Sequence, residues 1–402
     1  MMIPERPSLE RRVLGALDGS AGGPGPRIPV VLGGCGSGRT SLLLRLRDLI
    51  GRNQAQYIDT ERIATTPERF LRAVRTASPF PAVSYEQTRG VDSTAREAFD
   101  ATLAFIDTVR APGTTPATFL MDEFLELRTF ESFPGLRSVL RDLLSALASS
   151  GNRFVLTTRY VARAHRLLRD APPQFEIIHV APLSPAEVRA TLSGVHADEG
   201  TTEPPEMEAA RERQRDELAR IVQALSDGRP AYARAIAETA IALPPRGAAD
   251  PISALAALLA PGGQLAQICR FCYELRLHRA RGYGALKAIL EVLSEEEPLT
   301  LTEIALRLHR TPGSTKDYLS WLEDVDLVTS RQKRYSFTDP LLRVWVRLHC
   351  RPSAPSEDDL AREVHRYALP RLPQPPQPQP AATEPAFAMA TAGPGSGIIE
   401  ID

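Results

Sequence analysis

Lysine is almost missing from this sequence of 402 residues. Only three of its 48 basic residues are lysine, at Lys287, Lys316 and Lys333, so arginine carries nearly all of the positive charge. The net charge is −1, which is close to zero. The overall charge therefore gives no electrostatic reason to expect nucleic acid as a partner. A local basic face on one domain is not excluded by this balance. The chain as a whole uses arginine in place of lysine. An arginine at a motif position that usually holds lysine can therefore reflect this general preference and not a special role.

Long apolar runs and disulfide-forming cysteines are lacking as well. No stretch approaches the roughly 20 apolar residues that a membrane-spanning helix needs, and the first residues have no apolar core of a signal peptide. Four cysteines, at 35, 269, 272 and 350, are too few and too scattered for a disulfide framework. These absences predict a reduced, cytoplasmic protein without a membrane partner.

The pair Cys269 and Cys272 has the CxxC spacing of some zinc sites. No second pair with metal-site spacing accompanies it, so the sequence gives little support for zinc. We interpret both cysteines as core residues on an apolar helical face that also carries Leu265, Ile268, Phe271 and Leu275.

The segment from Pro29 to Ser41 has the pattern of a strand, a glycine-rich loop and a helix. An apolar run at residues 30–32 enters the loop, and leucines at helical spacing follow it. Glycines let backbone N–H groups turn toward a triphosphate where a Cβ would clash, and the helix N-terminus adds its positive dipole end. The hydroxyl of Thr40 is then placed to ligand Mg²⁺. The segment predicts a phosphate-binding loop.

The predicted loop fits the pattern G-x-x-x-x-G-K-[ST] except at one position, where Arg39 replaces lysine. Arginine keeps the charge but is longer, planar and forked, so it does not simply stand in for lysine at a crowded phosphate. The alternative is a glycine-rich turn between two core elements. The residues expected to contact the nucleotide here are Gly33, Gly34, Cys35, Gly36, Ser37, Gly38, Arg39, Thr40 and Ser41.

Apolar strands alternate with helices after the loop. Further strands are predicted at residues 56–60, 117–123, 153–159 and 175–180, and helices at 67–77, 92–110 and 134–149. Continuous apolar strands separated by helices predict an α/β fold with a parallel five-stranded sheet covered on both faces. Ligands of such sheets bind beyond the carboxyl ends of the strands.

Polar residues follow two of these strands. We expect Asp122 to hold the Mg²⁺ shell with Thr40, and Glu123 to orient or deprotonate the attacking water. Arg159, after Thr157 and Thr158, is expected to reach the γ-phosphate. The alternatives are a helix cap or solvated turn for the acidic pair and a surface salt bridge for Arg159.

The second half of the chain is predicted to be mostly helical. Residues 181–280 contain an exposed loop at 195–210 and a helix at 211–226, and Gly228 and Pro230 separate that helix from the next. Residues 351–369 add one helix. Six prolines among residues 370–380 predict disorder or polyproline structure beyond residue 370.

From residue 283 the pattern predicts a winged helix. Its parts are helices at 285–296, 302–309 and 314–324 and strands at 327–330 and 334–337. The third helix offers Ser314, Thr315, Lys316, Tyr318 and Ser320 to DNA, and the hairpin offers Arg331, Lys333 and Arg334. Acidic residues at 317, 323, 324 and 326 oppose this use, because DNA phosphates repel them. Packing within the chain or contact with a protein is the alternative.

With these residues in view, the chain resembles the signal-transduction (STAND) branch of P-loop ATPases. Within that branch it is similar to the archaeal-ATPase group, of the AAA+ lineage and related to origin-recognition ATPases. The resemblance covers roughly residues 1–350. It rests on the loop 33–40, Asp122-Glu123, Thr157-Thr158-Arg159, Pro182 to Pro185, Gly228-Arg229-Pro230, and Phe337 to Trp345.

The resemblance implies a P-loop NTPase with the following domains. An N-terminal helix and linker (1–26) precede a nucleotide-binding core (27–180), a helical lid (181–282), a winged helix (283–350) and a C-terminal extension (351–402). It further implies that Pro230 lies near the adenine, that Arg159 is the first sensor, and that Arg6 and Glu10 lie beside the adenine.

The sequence therefore predicts a molecular switch that binds ATP and Mg²⁺ and hydrolyses the ATP slowly. An unidentified protein partner is expected, and ATP-dependent self-assembly and DNA binding through the winged helix stay open. The first rival hypothesis is a nucleotide sensor or scaffold without hydrolysis, in which Arg39 traps the nucleotide. The second is a DNA-binding regulator that ATP merely licenses.

Overall fold

The structure, a computed structural model, describes residues 6–19, 25–81, 94–193, 205–242, 250–278 and 282–373. Residues 1–372 form one compact unit, and residues 373–402 form a second, of which only Pro373 is described. The disorder predicted beyond residue 370 therefore falls almost wholly outside the described residues. The domain boundaries drawn from the sequence stay a prediction.

The strands carry the labels β1 to β10 in chain order. They are β1 (Ile28–Leu32), β2 (Ala55–Asp59), β3 (Arg110–Ala111), β4 (Thr115–Pro116), β5 (Thr118–Asp122), β6 (Arg153–Thr158), β7 (Phe175–His179), β8 (Leu299–Thr300), β9 (Val328–Arg331) and β10 (Arg334–Phe337).

The helices of the first half are α1 (Pro7–Asp18), α2 (Arg39–Ile50), α3 (Thr60–Ile63), α4 (Pro67–Thr76), α5 (Ala95–Thr108), α6 (Val139–Ser149), α7 (Val161–Leu168) and α8 (Pro185–Ser193). Those of the second half are α9 (Pro205–Ser226), α10 (Pro230–Ala242), α11 (Pro251–Leu259), α12 (Gln264–Leu277), α13 (Tyr283–Glu295), α14 (Leu301–Arg307), α15 (Pro312–Asp324), α16 (Pro340–His349) and α17 (Glu357–Ala368).

Five strands form one parallel sheet in the order β2-β5-β6-β1-β7. The register aligns Asp59 with Asp122 and Leu32 with Thr158, so the strands end together at one edge. Since β6 lies between β1 and β5, the loop after β1 opens beside the residues that follow the other two strands. The topology thus gathers the predicted site at the carboxyl edge of the sheet.

Both faces of the sheet are covered, as its apolar strands predict. Val30 and Leu32 face a core that includes Phe119 and Phe154 with side chains of α5 and α6. Val31 faces the opposite side, where it packs with residues of α1 and α2. This alternation follows from the period of two along a strand. The predicted fold class, a parallel five-stranded P-loop sheet with helices on both faces, is confirmed.

The C-terminal part of the compact unit has the three helices and the hairpin that the sequence predicts. Helices α13, α14 and α15 precede β9 and β10, which pair antiparallel, and the short β8 joins β10 on its other side. We call residues 283–350 the helix–hairpin unit. Its third helix, α15, lies against α7, the helix that follows β6. Arg166 of α7 forms an ion pair with Asp324 of α15.

Some element boundaries differ from those predicted. Helix α9 begins at Pro205, although residues 195–210 were expected to form an exposed loop; residues 194–204 lie outside the described part. Proline at the first position and acidic residues in the first turn favour this early start. Arg189 of α8 then holds the polar stretch through ion pairs with Glu212 and Asp216.

Two other expectations were wrong. Phe271 is 61% exposed, so it does not belong to the buried face of α12 that Cys269 and Cys272 share. The predicted helix 134–149 starts only at Val139, after a 3₁₀ segment at Phe124–Ser132. Glu123, which directly precedes this segment, has left-handed backbone angles, with φ at 54°.

In the described residues no single helix has the length and apolar composition to cross a membrane, while the bent pair α11 and α12 has both.

Candidate functional site

The loop between β1 and α2 turns on its glycines. Gly36 and Gly38 have φ angles of 73° and 89°, which side chains with a Cβ rarely adopt. A Cβ on Gly33 would come 2.7 Å from the Ser37 hydroxyl, which would have to move to make room for it. The loop needs these residues to be glycine for its own shape, before any ligand is considered.

The hydroxyl of Thr40 meets the carboxylate of Asp122 across the end of the sheet. Thr40 Oγ1 donates a hydrogen bond of 2.6 Å to Asp122 Oδ2, and Tyr57 donates to the same oxygen at 3.0 Å. Thr157 donates to the other oxygen, Oδ1. Asp122 is buried, whereas Thr40 faces solvent. Two residues that lie 82 positions apart in the chain thus share one cluster of oxygen atoms.

The side chain of Arg39 folds back into the loop. Its Nη1 donates to the carbonyl oxygens of Gly33 and Gly34, and to Ser37 Oγ at 2.9 Å. Its Nη2 donates to Glu123 Oε1 at 2.6 Å. The guanidinium is almost fully buried between the carbonyl groups of the loop and Glu123, so it is turned into the loop itself.

Glu123 lies at the centre of a charged cluster. Besides Arg39, the backbone N–H of Arg159 donates to it at 3.0 Å, and Arg159 Nε lies 3.1 Å from Oε1. Thr158 donates more weakly, at 3.4 Å. Burial would raise the pKa of this carboxyl, but the charges of Arg39 and Arg159 outweigh burial and hold the pKa below its usual value. In this conformation Glu123 is an ionised group with few free acceptor positions.

Arg159 is buried rather than exposed, and it joins two carboxylates. It pairs with Glu123 and, through Nη2, with Glu61 of α3. Sequence reasoning missed Glu61, which follows β2 by two residues and has a signal similar to that of Asp122, a carboxylate at or just after the end of a strand. The alternative of a surface salt bridge does not describe Arg159.

Residues from the second half of the chain cover the outer side of the loop. Arg229 Nη1 donates to the Cys35 carbonyl at 2.9 Å and lies 3.1 Å from Asp339, while Nη2 donates to the Thr338 carbonyl at 3.1 Å. Tyr232 donates to Asp339 at 2.7 Å. One guanidinium therefore bridges the loop and the start of α16.

A recess opens beside the start of α2, lined by Arg6, Glu10, Ser41, Leu42, Arg45 and Pro230 together with Gly38. Arg6 donates to the Ala181 carbonyl at 2.7 Å, and Arg45 Nε lies 2.6 Å from Glu10. Pro230 is buried, 3.6 Å from where a Cβ of Gly38 would stand. The residues expected beside an adenine are thus brought together in one place.

The helix-start side of the loop offers unused donors. No described residue accepts a hydrogen bond from the backbone N–H groups of Gly36, Gly38, Arg39 or Thr40. The first N–H groups of a helix have no partner within the helix, so they favour an anion. The charge and the donors at this point suit a phosphate group.

The structure also places the predicted DNA-contacting residues. Thr315 is fully buried, so it is not available to DNA, contrary to the prediction. Asp324 forms an ion pair with Arg166, and Asp326 accepts a hydrogen bond from the Ala162 N–H. Both partners belong to α7, so the end of α15 packs on that helix. On the hairpin, the residues at 331, 333 and 334 are exposed.

No protein-family model matches the chain, and no curated protein sequence does either. Among solved structures, the chain is similar to a Walker-type ATPase of Pyrococcus abyssi, with 16% identity and a TM-score of 0.59, over 86% of this chain and 96% of the other. It also matches the ORC1 protein of Aeropyrum pernix in complex with DNA, with 16% identity and a TM-score of 0.43, over 91% and 93% of the two chains. The first likeness shows that the chain shares the fold of a Walker-type ATPase.

Proposed function

We propose that this chain binds Mg²⁺-ATP in the loop 33–40 and hydrolyses it slowly, as a switch that couples nucleotide state to the position of the second half of the chain. The observation that carries the proposal is the 2.6 Å hydrogen bond between Thr40 and Asp122. A hydroxyl after a glycine loop and a carboxylate at the end of another strand of the same sheet are the two protein groups that hold Mg²⁺ in P-loop enzymes. A chance turn has no reason to bring them together.

The donors of the loop fit a triphosphate. The unused N–H groups of Gly36, Gly38, Arg39 and Thr40 would take phosphate oxygens, as helix N-termini do in anion sites. Arg39 must then leave the carbonyl groups of Gly33 and Gly34, since its guanidinium is turned into the loop. Its positive charge is available for the phosphates after that movement.

The oxygen donors of Thr40 and Asp122 fit a magnesium ion. Mg²⁺ prefers hydroxyl, carboxylate and water oxygens, and both side chains offer such atoms at one point. When bound, the ion would neutralise charge on the β- and γ-phosphates. Tyr57 and Thr157 hold the Asp122 carboxylate in place through hydrogen bonds to its two oxygens.

Slow turnover follows from the position of Glu123. A general base needs a free oxygen and a proton affinity suited to its task, and here Arg39 and Arg159 occupy Glu123 and lower its pKa. Movement of Arg39 toward a phosphate would release one of these contacts. The Arg39 side chain then links nucleotide binding to the activation of Glu123 as the base.

The coupling runs through Arg229, whose guanidinium contacts both the Cys35 carbonyl and the residues that begin α16. Any displacement of the loop by a triphosphate alters these contacts. The adjacent Pro230 lines the recess proposed for the adenine, so base and phosphates would both press on the start of α10.

A titration with a fluorescent ATP analogue tests the binding step. Thr40→Val should weaken Mg²⁺-dependent binding by about tenfold or more, because a charge-assisted ligand contact is lost. Thr115→Val removes an exposed hydroxyl of β4, far from the loop in the chain, and should bind like the native protein. Equal affinity of native and Thr40→Val proteins, with and without EDTA, would contradict the proposal.

The position of Arg39 also favours the rival hypothesis of a sensor that does not hydrolyse ATP, because this side chain holds Glu123 in its ionised, occupied form. Phosphate release from the native chain, Arg39→Lys and Glu123→Gln separates the two. Slow hydrolysis predicts faster release from Arg39→Lys and a loss of about a hundredfold or more in Glu123→Gln. Equal background release from all three, with ATP still bound, favours the sensor.

A DNA-binding regulator is the second rival, and the exposed residues Arg331, Lys333 and Arg334 favour it. A salt-dependent mobility shift that disappears in a Lys333→Ala, Arg334→Ala double variant would support this role. No shift at low salt, with or without ATP, would exclude it.

A further inference from the structure

Two of the seven histidines of the chain meet beside the carboxyl edge of the sheet. His179 is the last residue of β7, and His165 lies on α7, the helix that follows β6. Their Nε2 atoms are 3.2 Å apart, and both side chains are exposed. The ring centroids are 5.1 Å apart and the ring planes differ by 24°. Because the nitrogens are closer than the centroids, the rings turn their Nε2 edges toward each other.

Each histidine belongs to an element that other contacts hold in place. His179 is aligned with Leu32 of β1, and the N–H of the next residue, Val180, donates to the Leu32 carbonyl at 2.8 Å. On α7, Ala164 is fully buried in the core that covers this face of the sheet, and Leu167 packs against the same core. The spacing of the two rings therefore follows from the packing of α7 on the sheet.

The spacing of the two nitrogens suits a single metal ion. Imidazole nitrogens bind zinc at about 2.0–2.1 Å, so two of them on one tetrahedral ion lie about 3.3 Å apart. Without an ion, a contact between two Nε2 atoms requires one ring to donate a proton and the other to accept it. An ion in place of that proton uses the lone pairs of both rings, while each ring keeps its proton on Nδ1.

The charges around the pair permit a cation. Desolvation lowers the pKa of His179, and the charges of its partner ring and of Arg12 lower it further, so this imidazole is neutral at neutral pH. Neutral imidazole is the form that binds metal. Arg12 lies 3.4 Å from Glu176, and Arg166 on α7 forms an ion pair with Asp324, so a carboxylate balances each arginine.

The type of ligand atom selects the class of ion. Imidazole nitrogen suits Zn²⁺, Ni²⁺ and Cu²⁺, whereas Mg²⁺ and Ca²⁺ take oxygen ligands. In the part of the chain that the structure describes, no group of three or more histidine, cysteine, aspartate or glutamate side chains could hold a metal ion. The pair therefore supplies two ligands, and water or a molecule from outside completes the coordination of the ion.

We propose that His165 and His179 form a two-histidine site for a divalent late transition-metal ion, Zn²⁺, Ni²⁺ or Cu²⁺, that joins α7 to the end of β7. The site uses residues other than Thr40 and Asp122, whose oxygen atoms are proposed to hold Mg²⁺. It does not depend on the proposed function, because no nucleotide takes part. The two ligands meet only in the folded chain, so the bound ion should stabilise the folded state.

A calorimetric titration of the full chain with Ni²⁺ tests the site. The chain carries no polyhistidine tag, is freed of metal with EDTA and is then dialysed, and nucleotide is left out, because a tag and a nucleotide would both bind the ion. We expect binding at micromolar Ni²⁺ that an excess of Mg²⁺ does not weaken. Binding of Ni²⁺ in the millimolar range only, or displacement of Ni²⁺ by Mg²⁺, overturns the proposal.

Two single variants show whether both rings hold the ion. His165→Ala and His179→Ala should each weaken Ni²⁺ binding by about tenfold or more, because each leaves the ion with one protein ligand. His365→Ala removes an exposed histidine of α17 and should bind like the native chain. Circular dichroism of each variant checks that the fold is kept. If either His165→Ala or His179→Ala binds Ni²⁺ as tightly as the native chain, the two rings do not share one ion and the proposal fails.

Thermal denaturation gives an independent measurement of the same site. Zn²⁺ and Ni²⁺ should each raise the Tm of the native chain, and EDTA should reverse the rise, because an ion that binds only the folded state stabilises it. The double variant His165→Ala, His179→Ala should show no such rise. A rise of the same size in the double variant would mean that the ion binds elsewhere, such as at a cysteine, and would overturn the proposal.

Discussion

The glycine loop has two sides that differ in what they contact. Its inner side meets the ends of the sheet strands, where Thr40 and Arg39 contact Asp122 and Glu123. Its outer side meets the second half of the chain, through Arg229 and Arg276. The inner contacts join the loop to the carboxylates at the end of β5, and the outer ones fix the loop to elements more than 190 residues away. The inner side carries the proposed reaction, and the outer side carries its control.

The largest effect that tests this difference is expected at Asp339 on the outer side. Asp339→Ala leaves Arg229 buried without its carboxylate partner and removes the cap of α16, where Asp339 accepts from the Leu341 and Leu342 N–H groups. We expect the free energy of unfolding to fall by about 3 to 5 kcal/mol. Urea denaturation measures it.

Asp250→Ala is the control for the cap alone, since Asp250 begins α11 at an exposed position and should cost about 1 kcal/mol. A loss of the same size in both variants would mean that the Arg229 contact contributes nothing, and that the outer side does not fix the loop.

A pH-dependent effect on stability is expected at Asp326, where the helix–hairpin unit packs against α7. Burial raises its pKa to about 6, although Arg276 opposes this, and its Oδ2 has no hydrogen-bond partner among the described residues. Because the folded pKa exceeds the unfolded value of about 3.9, the stability that the group contributes is full below pH 4 and is lost as the pH rises through 6.

The variant Asp326→Asn should therefore match the native chain at pH 4 and be more stable by about 2 to 3 kcal/mol at pH 7.5. Asparagine tolerates the left-handed backbone at this position, where φ is 53°. Asp317→Asn, on the exposed face of α15, controls for the removal of a charge. A difference between Asp326→Asn and the native chain that is the same at both pH values would contradict the assignment.

The smallest effect is expected at the ion pair between Arg166 and Asp324, which joins α7 to α15 near the surface. Arg166→Ala should change the free energy of unfolding by about 0.5 kcal/mol or less, since a partly exposed pair is screened by water. Thermal denaturation at low and high salt measures it. If Arg166→Ala lowered the free energy of unfolding as much as Asp339→Ala, the main stabilising contact between the two halves of the chain would be the one at α15 and not the one at Arg229.

The inner side of the site follows from local sequence patterns. Glycines at fixed spacing, a hydroxyl after them and carboxylates after an apolar strand each carry their signal within a few residues, so the sequence alone points to Thr40, Asp122 and Glu123. The alternation of strands and helices then sets the parallel sheet, which brings these strand ends to one edge. Glu61 has a similar local signal but was missed, because its role depends on reaching Arg159 across the sheet.

The outer side has no such signal. Nothing near Arg229 indicates that it contacts Cys35 and Asp339, and nothing near Arg276 indicates that it contacts Cys35, 241 positions earlier in the chain. Thr315 similarly has a surface-type residue pattern around it but lies in the core of the helix–hairpin unit. Each of these placements depends on how whole helices pack on one another.

The sequence by itself determined the order of strands and helices, the shape of the loop and the residues at the strand ends, because backbone preferences and apolar periodicity act over a few residues. Only the tertiary structure decided that Arg39 folds into the loop, that Arg229 covers it, and that Arg276 contacts the Cys35 sulfur. These contacts join segments far apart in the chain, and their geometry exists only once the separate elements have packed together.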